Sequence, residues 1–325
     1  MESIFVRSIY VVLLVMGTVV FGSHSAQPQV LKVAQGDTTI PLWPGAVPDA
    51  QPTAGPEIKS VTDVEDLVAG KPTTFIENVS LPTMTVYTPK GKNTSVAVLV
   101  FPGGGYNALY IDIEGTEVCD WLTPKGVTCI VVKYRVPHSG PQWHKECHCH
   151  VMPKIPAALQ DAQRAMSLTR FHAADWHIDP HKIGVLGFSA GGHLVAAVST
   201  HFTERQYAAV DAADKESSRP DFAVAIYPGH LSWAHNSLEL NPDIKNHISA
   251  QTSPTFLLQN ENDPVDSVYD SLSYFAALQQ ANVSVELHSY ATGGHAFGLR
   301  RTKEAATEWP QLVERWLVSI GMISK

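Results

Sequence analysis

The chain has 325 residues, 44% of them hydrophobic and 17% charged, which is enough apolar material for one large packed domain or two small ones and excludes wholesale disorder. Its formal charge of -8, with no run of lysines and arginines, excludes a surface built to neutralise phosphates, so nucleic acid is not an expected partner.

The amino-terminal residues place Arg7 ahead of an uncharged, mostly apolar run from Ile9 to Phe21. That run is too short to cross a bilayer at about 1.5 Å per residue, but it suits the core of a secretory signal. The expectation is a signal peptide over residues 1–26, cut near Ser25 or Ala26, on a secreted or periplasmic chain with no stable membrane insertion afterwards. An uncleaved anchor is the alternative. Residues 27–75 are rich in proline, glycine and threonine without periodicity, and read as an extended lead-in lying over a domain surface.

Residues 76–325 then read as a single domain, with no linker dividing it. FIENVSLPTMTVYTP suggests a strand pair interrupted at Pro82, while VAVLVF and VTCIVVKYRV are apolar runs suited to strands covered on both faces. Thr116 to Leu122 is helix-like between them. IPAALQDAQRAMSLTRF sets Ile155, Leu159, Ala162, Ala165, Met166 and Leu168 on one helical stripe, and the strand IGVLGF follows. The small-residue helix AGGHLVAAVST, the strands FAVAIYP and TFLLQN, the helix SVYDSLSYFAALQQAN and the strand VSVELHSY continue the alternation. The last helix carries Trp309, Leu312, Val313, Trp316, Leu317 and Ile320 on one face, with Pro310 in its first turn. Alternating strands and helices imply an α/β fold, a mostly parallel sheet covered by helices on both faces.

Within this frame GFSAGGH puts Ser189 between Gly187 and Gly191, directly after a strand and before a helix. In a parallel sheet that junction lies on the ligand edge, and the two glycines permit a strained turn that lifts a hydroxyl clear of the sheet. A serine hydroxyl needs a base, and the base needs an acid to orient it. Asp263 follows the strand TFLLQN and His295 follows VSVELHSY, so both stand in loops at the same edge in the order serine, acid, histidine. Asp263 is preferred to Asp266, because Asp266 sits where an N-cap carboxylate would have a structural reason. His288, inside a strand on its polar face, reads as a solvated side chain. For the oxyanion, FPGGGY ends a strand in glycines that expose backbone N–H groups, so Gly104, Gly105 and the N–H of Ala190 are the expected donors. No Lys-Ser/Thr pair follows those glycines, which excludes a phosphate loop.

PGGGY, GFSAGGH, the acid in NDPVDS and GGHAFG resemble the acetyl esterase/lipase branch of the α/β-hydrolase superfamily, and more closely secreted bacterial esterases often grouped with xylan-degrading enzymes, which carry a similar IPLWPG lead-in. The resemblance runs from about Ile40 to the final helix. It implies an α/β-hydrolase catalytic domain that cleaves short acyl esters, acetyl or aryl, on plant polysaccharide or small molecules, without a cofactor. A peptidase of the same fold and a feruloyl esterase specificity are the alternatives. Many relatives have histidine where this chain has Pro102, so any orienting role of that histidine is absent. Activity is expected to rise through about pH 6 to 7.5 as His295 becomes neutral.

The loop PHSGPQWHKECHCHVMP is outside the resemblance. There Cys147 and Cys149 alternate with His148 and His150, with His144 upstream, and an exposed rim loop, disulfides and a metal site all stay open. The spacing is against a zinc knuckle, so no metal ligand is assigned. Cys119 and Cys129 are either small core residues or partners in a disulfide. Trp43, Trp143 and Trp233 could stack on a sugar but read as packing, and none is assigned.

Overall fold

The structure is a computed structural model. It describes residues 37–324 except Ala54, Lys90, 137–141, 145–148, 152–155 and His235, and of 142–144, 149–151 and Pro156 the backbone alone. The expected signal segment 1–26 lies outside the described residues, as do Cys147, His148 and Ile155 and the side chains of Trp143, His144, Cys149 and His150.

In chain order the strands are β1 (Thr38–Pro41), β2 (Ile58–Val61), β3 (Thr74–Glu77), β4 (Thr83–Tyr87), β5 (Ala97–Phe101), β6 (Ala108–Tyr110), β7 (Thr128–Lys133), β8 (Gln142–His144), β9 (Cys149–Val151), β10 (Ile183–Phe188), β11 (Phe222–Ile226), β12 (Thr255–Asn260) and β13 (Val285–Tyr290). The helices are α1 (Glu117–Leu122), α2 (Pro156–Phe171), α3 (Ala190–Thr200), α4 (Pro242–Lys245), α5 (Val268–Gln280) and α6 (Trp309–Ser319).

Eight strands form one sheet in the order β1-β4-β7-β5-β10-β11-β12-β13. Pairing is antiparallel at β1-β4-β7 and parallel from β7 to β13. The apolar runs are continuous because both faces are covered. Along β5, Ala97, Leu99 and Phe101 join the core that contains α2, α3 and α5 residues, whereas Val98 and Val100 join the opposite core with α1 and α6. In α6 the buried set is Trp309, Pro310, Val313, Trp316 and Leu317, with Pro310 in the first turn, where its missing N–H costs no helical bond. The mostly parallel α/β sheet expected from the alternation is therefore present.

Two local expectations change. The segments flanking Pro82 are both strands but do not pair with each other. Asn78 takes a left-handed turn at φ 57°, and β3 pairs with β2 and β6 in a separate three-stranded sheet while β4 joins the central one. The lead-in does more than lie over the surface: β1 is an edge strand of the central sheet, and Leu42 and Trp43 are buried. Helix α2 has no solvated polar face, since Gln160, Asp161, Gln163, Arg164, Ser167 and Thr169 are all buried with its apolar stripe.

The polar side of α2 grips the lead-in. Asp161 accepts from Trp43 Nε1 at 2.8 Å and from Arg135 Nε and backbone N, each at 2.9 Å. Arg164 donates to the Leu42 carbonyl at 2.9 Å and pairs with Asp214 at 2.9 Å. Both carboxylates thus lose water but gain an arginine and several donors, which is the condition under which a buried charge is tolerated. A disulfide joins Cys119 of α1 to Cys129 of β7, which decides the alternatives for these two thiols. In the Cys/His loop, β8 and β9 pair as an antiparallel hairpin.

Candidate active site

The chain runs from β5 through α1 to β7 on one side, then through α2 to β10 on the other, so the strand order reverses between β5 and β10. Loops leaving such neighbouring strands diverge and open a crevice beyond their carboxyl ends. The glycine loop after β5 and Ser189 after β10 both lie there.

Ser189 has φ 51° and ψ -121°, a backbone state that L-residues rarely adopt. Close packing holds it. A Cβ at Gly191 would meet the Phe101 carbonyl oxygen at 2.0 Å, and one at Gly187 would meet the Gly191 carbonyl oxygen at 2.2 Å, so neither site accepts any other residue without displacement. Ser189 starts α3, whose first backbone N–H groups have no helical partner, and this applies to Ala190.

The three side chains drawn from distant loops meet at this point. His295 Nε2 lies 3.0 Å from Ser189 Oγ, and His295 Nδ1 lies 2.7 Å from Asp263 Oδ2. Asp263 is itself fixed: its second oxygen accepts from the backbone N–H of Val265 at 2.9 Å and of Asp266 at 3.0 Å, and Gln259 Nε2 donates to Oδ2 at 3.1 Å. Burial alone would lower the His295 pKa. The hydrogen bond to Asp263 and the charges of Asp266, Asp263 and Glu114 more than offset this and raise it above the ordinary histidine value of 6.5.

Of the glycine loop, Gly103 donates its N–H to Glu114 Oε2 at 2.7 Å, and is therefore committed. Gly104 and Gly105 follow it at φ 131° and 60°. A Cβ on Gly104 would come 2.2 Å from the Ala108 carbonyl oxygen, so the tight loop depends on glycine there. A Cβ on Gly103 would reach Ser189 Cβ at 3.0 Å, which sets the loop directly against the nucleophile turn.

Two groups that the sequence reading did not single out complete the surroundings. Glu114, in a π-helical turn at Asp112–Thr116, is 3% exposed, and its other oxygen accepts from Tyr227 OH at 2.9 Å. Burial pushes its pKa up, against the lowering influence of His295, Tyr227 and Gly103. Tyr227 in turn accepts from the Gly298 N–H at 3.0 Å and lays its ring 4.7 Å from the His295 imidazole. One buried phenol and one buried carboxyl thus connect the glycine loop to the histidine loop. The available signal was a lone glutamate in the context YIDIEG. On the other flank, Tyr106 OH and His193 Nδ1 are 2.7 Å apart, tying the glycine loop to α3.

Asp266 is a correction. It does not cap α5: Ser267 does, its side chain accepting from Tyr269 N–H at 3.3 Å. Asp266 turns inward instead, 7% exposed, with Oδ2 3.3 Å from Ser189 Oγ and 3.7 Å from His295 Nε2. His288 also departs from expectation. It is half-buried, stacked on Phe256 at 5.1 Å and 2.7 Å from Glu286, and so not a freely solvated side chain. Among the described residues no group of three or more His, Cys, Asp or Glu could hold a metal, and no helix is long and apolar enough to cross a membrane.

The chain is similar to several known proteins. The BD-FAE family model matches residues 84–227, the interval from β4 to just past β11. The crystal structure of an acetyl ester-xyloside bifunctional hydrolase from Caldicellulosiruptor lactoaceticus is similar with a TM-score of 0.69 at 31% identity, covering 90% of this chain and 99% of that one. The acetylxylan esterase of Xylanibacter ruminicola is 27% identical over 244 residues, 69% of this chain and 45% of that protein. The ethyl acetate hydrolase of Pseudomonas putida is 24% identical over 264 residues, 71% of this chain and 75% of that protein. The chain spans less than half the length of two curated relatives it matches, 45% of one and 43% of the other.

Proposed function

This chain belongs to the esterase-like α/β hydrolases, and we propose on that premise that it is a serine carboxylic ester hydrolase acting on short acyl esters through Ser189, His295 and Asp263. The observation that carries the reading is the unbroken line from Asp263 through His295 to Ser189 Oγ, with both links at hydrogen-bond distance.

The chemistry divides into two halves. As Ser189 Oγ bonds to the ester carbonyl carbon, its proton passes to His295 Nε2 and the carbonyl π pair moves onto oxygen. The N–H of Ala190 with those of Gly104 and Gly105 receive that oxyanion, while Asp263 stabilises the imidazolium. The intermediate collapses, the carbon–oxygen bond to the alcohol breaks, and the alcohol leaves with the proton from Nε2. Water then repeats the sequence on the acyl-enzyme, giving the carboxylic acid and restoring the serine.

The similarity to an acetylxylan esterase and an acetyl ester-xyloside hydrolase favours acetyl esters on xylan or related small molecules as the substrate class. The Cys119–Cys129 disulfide supports an oxidising location, secreted or periplasmic, in keeping with the amino-terminal signal reading. The test is turnover of acetyl, butyryl and feruloyl esters by the full chain and by Ser189→Ala. Acetyl ester cleavage that the variant lacks is expected; equal cleavage by both proteins removes the proposal.

A further inference from the structure

Asp266 has no structural task that explains its position. The cap of α5 belongs to Ser267, and the turn before it is closed by Asp263 accepting the Asp266 backbone N–H. Among the described residues the Asp266 carboxyl has no lysine or arginine at ion-pair distance. Its space is provided from elsewhere in the fold: a Cβ at Gly229, in the loop after β11, would lie 2.3 Å from Asp266 Oδ1 and 2.5 Å from Oδ2. That same glycine donates its N–H to the Ser189 carbonyl at 3.3 Å, so the loop that admits the carboxyl is packed on the nucleophile. A carboxylate taken out of water without a cation is costly, and here it is spent against the reacting pair.

We propose that Asp266 is a second catalytic carboxylate, facing the Nε2 edge of His295 while Asp263 holds Nδ1, so that the imidazolium formed when Ser189 loses its proton lies between two negative charges. The inference rests on the esterase reading above. Asp266 touches the reacting hydroxyl at 3.3 Å and the accepting nitrogen at 3.7 Å, and both approaches are buried, where charges are poorly screened. Its effect is to strengthen His295 as a base and to set the acid side of the activity profile at higher pH.

Asp263 and Glu114 act on His295 from the acid loop and the π-helical turn, with the Tyr227 ring alongside. Asp270 stands behind Asp266 on α5, with His230 of the loop after β11 near it and His193 of α3 adjoining His230. Burial, first, and the neighbouring Asp263 raise the Asp266 carboxyl, to about 6, against the lowering influence of His295 and the Ser189 hydroxyl, so in the range where His295 becomes neutral Asp266 carries its charge.

The experiment is the pH dependence of kcat/KM for an acetyl ester in the wild type, Asp266→Asn and Asp266→Ser, with folding checked by thermal melting. Asn keeps the shape and removes the charge; Ser removes both, and every other group named stays in place. The expected result is displacement of the acid limb to lower pH by about one unit in each folded variant. An acid limb superimposable on wild type in either folded variant overturns the proposal. Ser189→Ala run in parallel separates the two readings: an active Ser189→Ala removes the esterase assignment, whereas an inactive one with an unmoved Asp266→Asn limb leaves that assignment standing and removes only the role of Asp266.

Discussion

Two parts of the molecule bury carboxyl groups and do opposite things with them. Beneath the lead-in, Asp161 and Asp214 face arginines: Asp161 has Arg135 and Trp43, and Asp214 has Arg164, Arg205 and Tyr207. Burial pushes the Asp161 carboxyl up despite Arg135 and Trp43, whereas on Asp214 the Val210 N–H, Tyr207 OH and Arg164 outweigh burial and carry its pKa below the usual carboxylate value. At the rim of the sheet, Glu114 and Asp266 are just as buried, yet among the described residues neither has a lysine or arginine at ion-pair distance, and both are pushed upward by desolvation. A paired carboxylate spends its field on its partner and fixes chain geometry. An unpaired one leaves its field to act on whatever titrates nearby, here His295.

Substitutions that remove one charge from each region should therefore separate turnover from stability. The largest effect belongs to the rim. Asp263→Asn leaves the fold in place, mis-sets the His295 tautomer and lowers kcat by about 10⁴-fold, with melting close to wild type. Should melting collapse as well, Asp263 would belong with the structural carboxylates. Next comes the anchor: Asp161→Ala leaves Arg135 buried without a counter-charge and should cost roughly 3–5 kcal/mol of stability in denaturant titration. The surviving folded fraction is expected to retain wild-type KM, because Asp161 holds the lead-in and α2 rather than the crevice.

A smaller effect tests the link between the two loops. Glu114→Gln keeps the shape but cannot accept both the Gly103 N–H and the Tyr227 hydroxyl, so kcat should fall by about 10- to 100-fold with KM nearly unchanged. Tyr227→Phe should reproduce part of that loss. A rise in KM with constant kcat would instead make Glu114 a substrate-binding group. The smallest expected signal is in the wild-type pH profile. Because the His295 pKa is raised, the base is protonated and idle until pH exceeds the ordinary histidine value, so half-maximal kcat/KM on the acid side should fall above pH 6.5. A midpoint below 6.5 would mean that burial of the imidazole outweighs the rim carboxylates.

How far this was legible beforehand differs from residue to residue. The turn around Ser189 is written locally: Gly187 and Gly191 are needed because backbone carbonyls approach within van der Waals contact, and a Gly-x-Ser-x-Gly stretch after an apolar run announces that need. Asp263 and His295 were found because a parallel sheet sends every strand's following loop to one edge. Asp266 was misplaced for the same local reason that made the neighbouring assignments succeed. A carboxylate just before a helix looks like a cap, and only the contact with Gly229, distant in sequence, turns it inward.

The amino-acid sequence by itself determined the alternation of strands and helices, the strained serine turn and the sheet edge where the three residues gather, because hydrophobic period, glycine spacing and chain order act over neighbouring residues or through the regularity of the sheet. Tertiary structure alone decided which carboxyls are paired with arginine and which are left facing an imidazole, that β3 leaves the central sheet, that α2 is buried on its polar side and that Cys119 meets Cys129. The physical reason is that a charge or a thiol acquires its role from what surrounds it after desolvation, and those surroundings come from segments on other elements of the fold that no local pattern records.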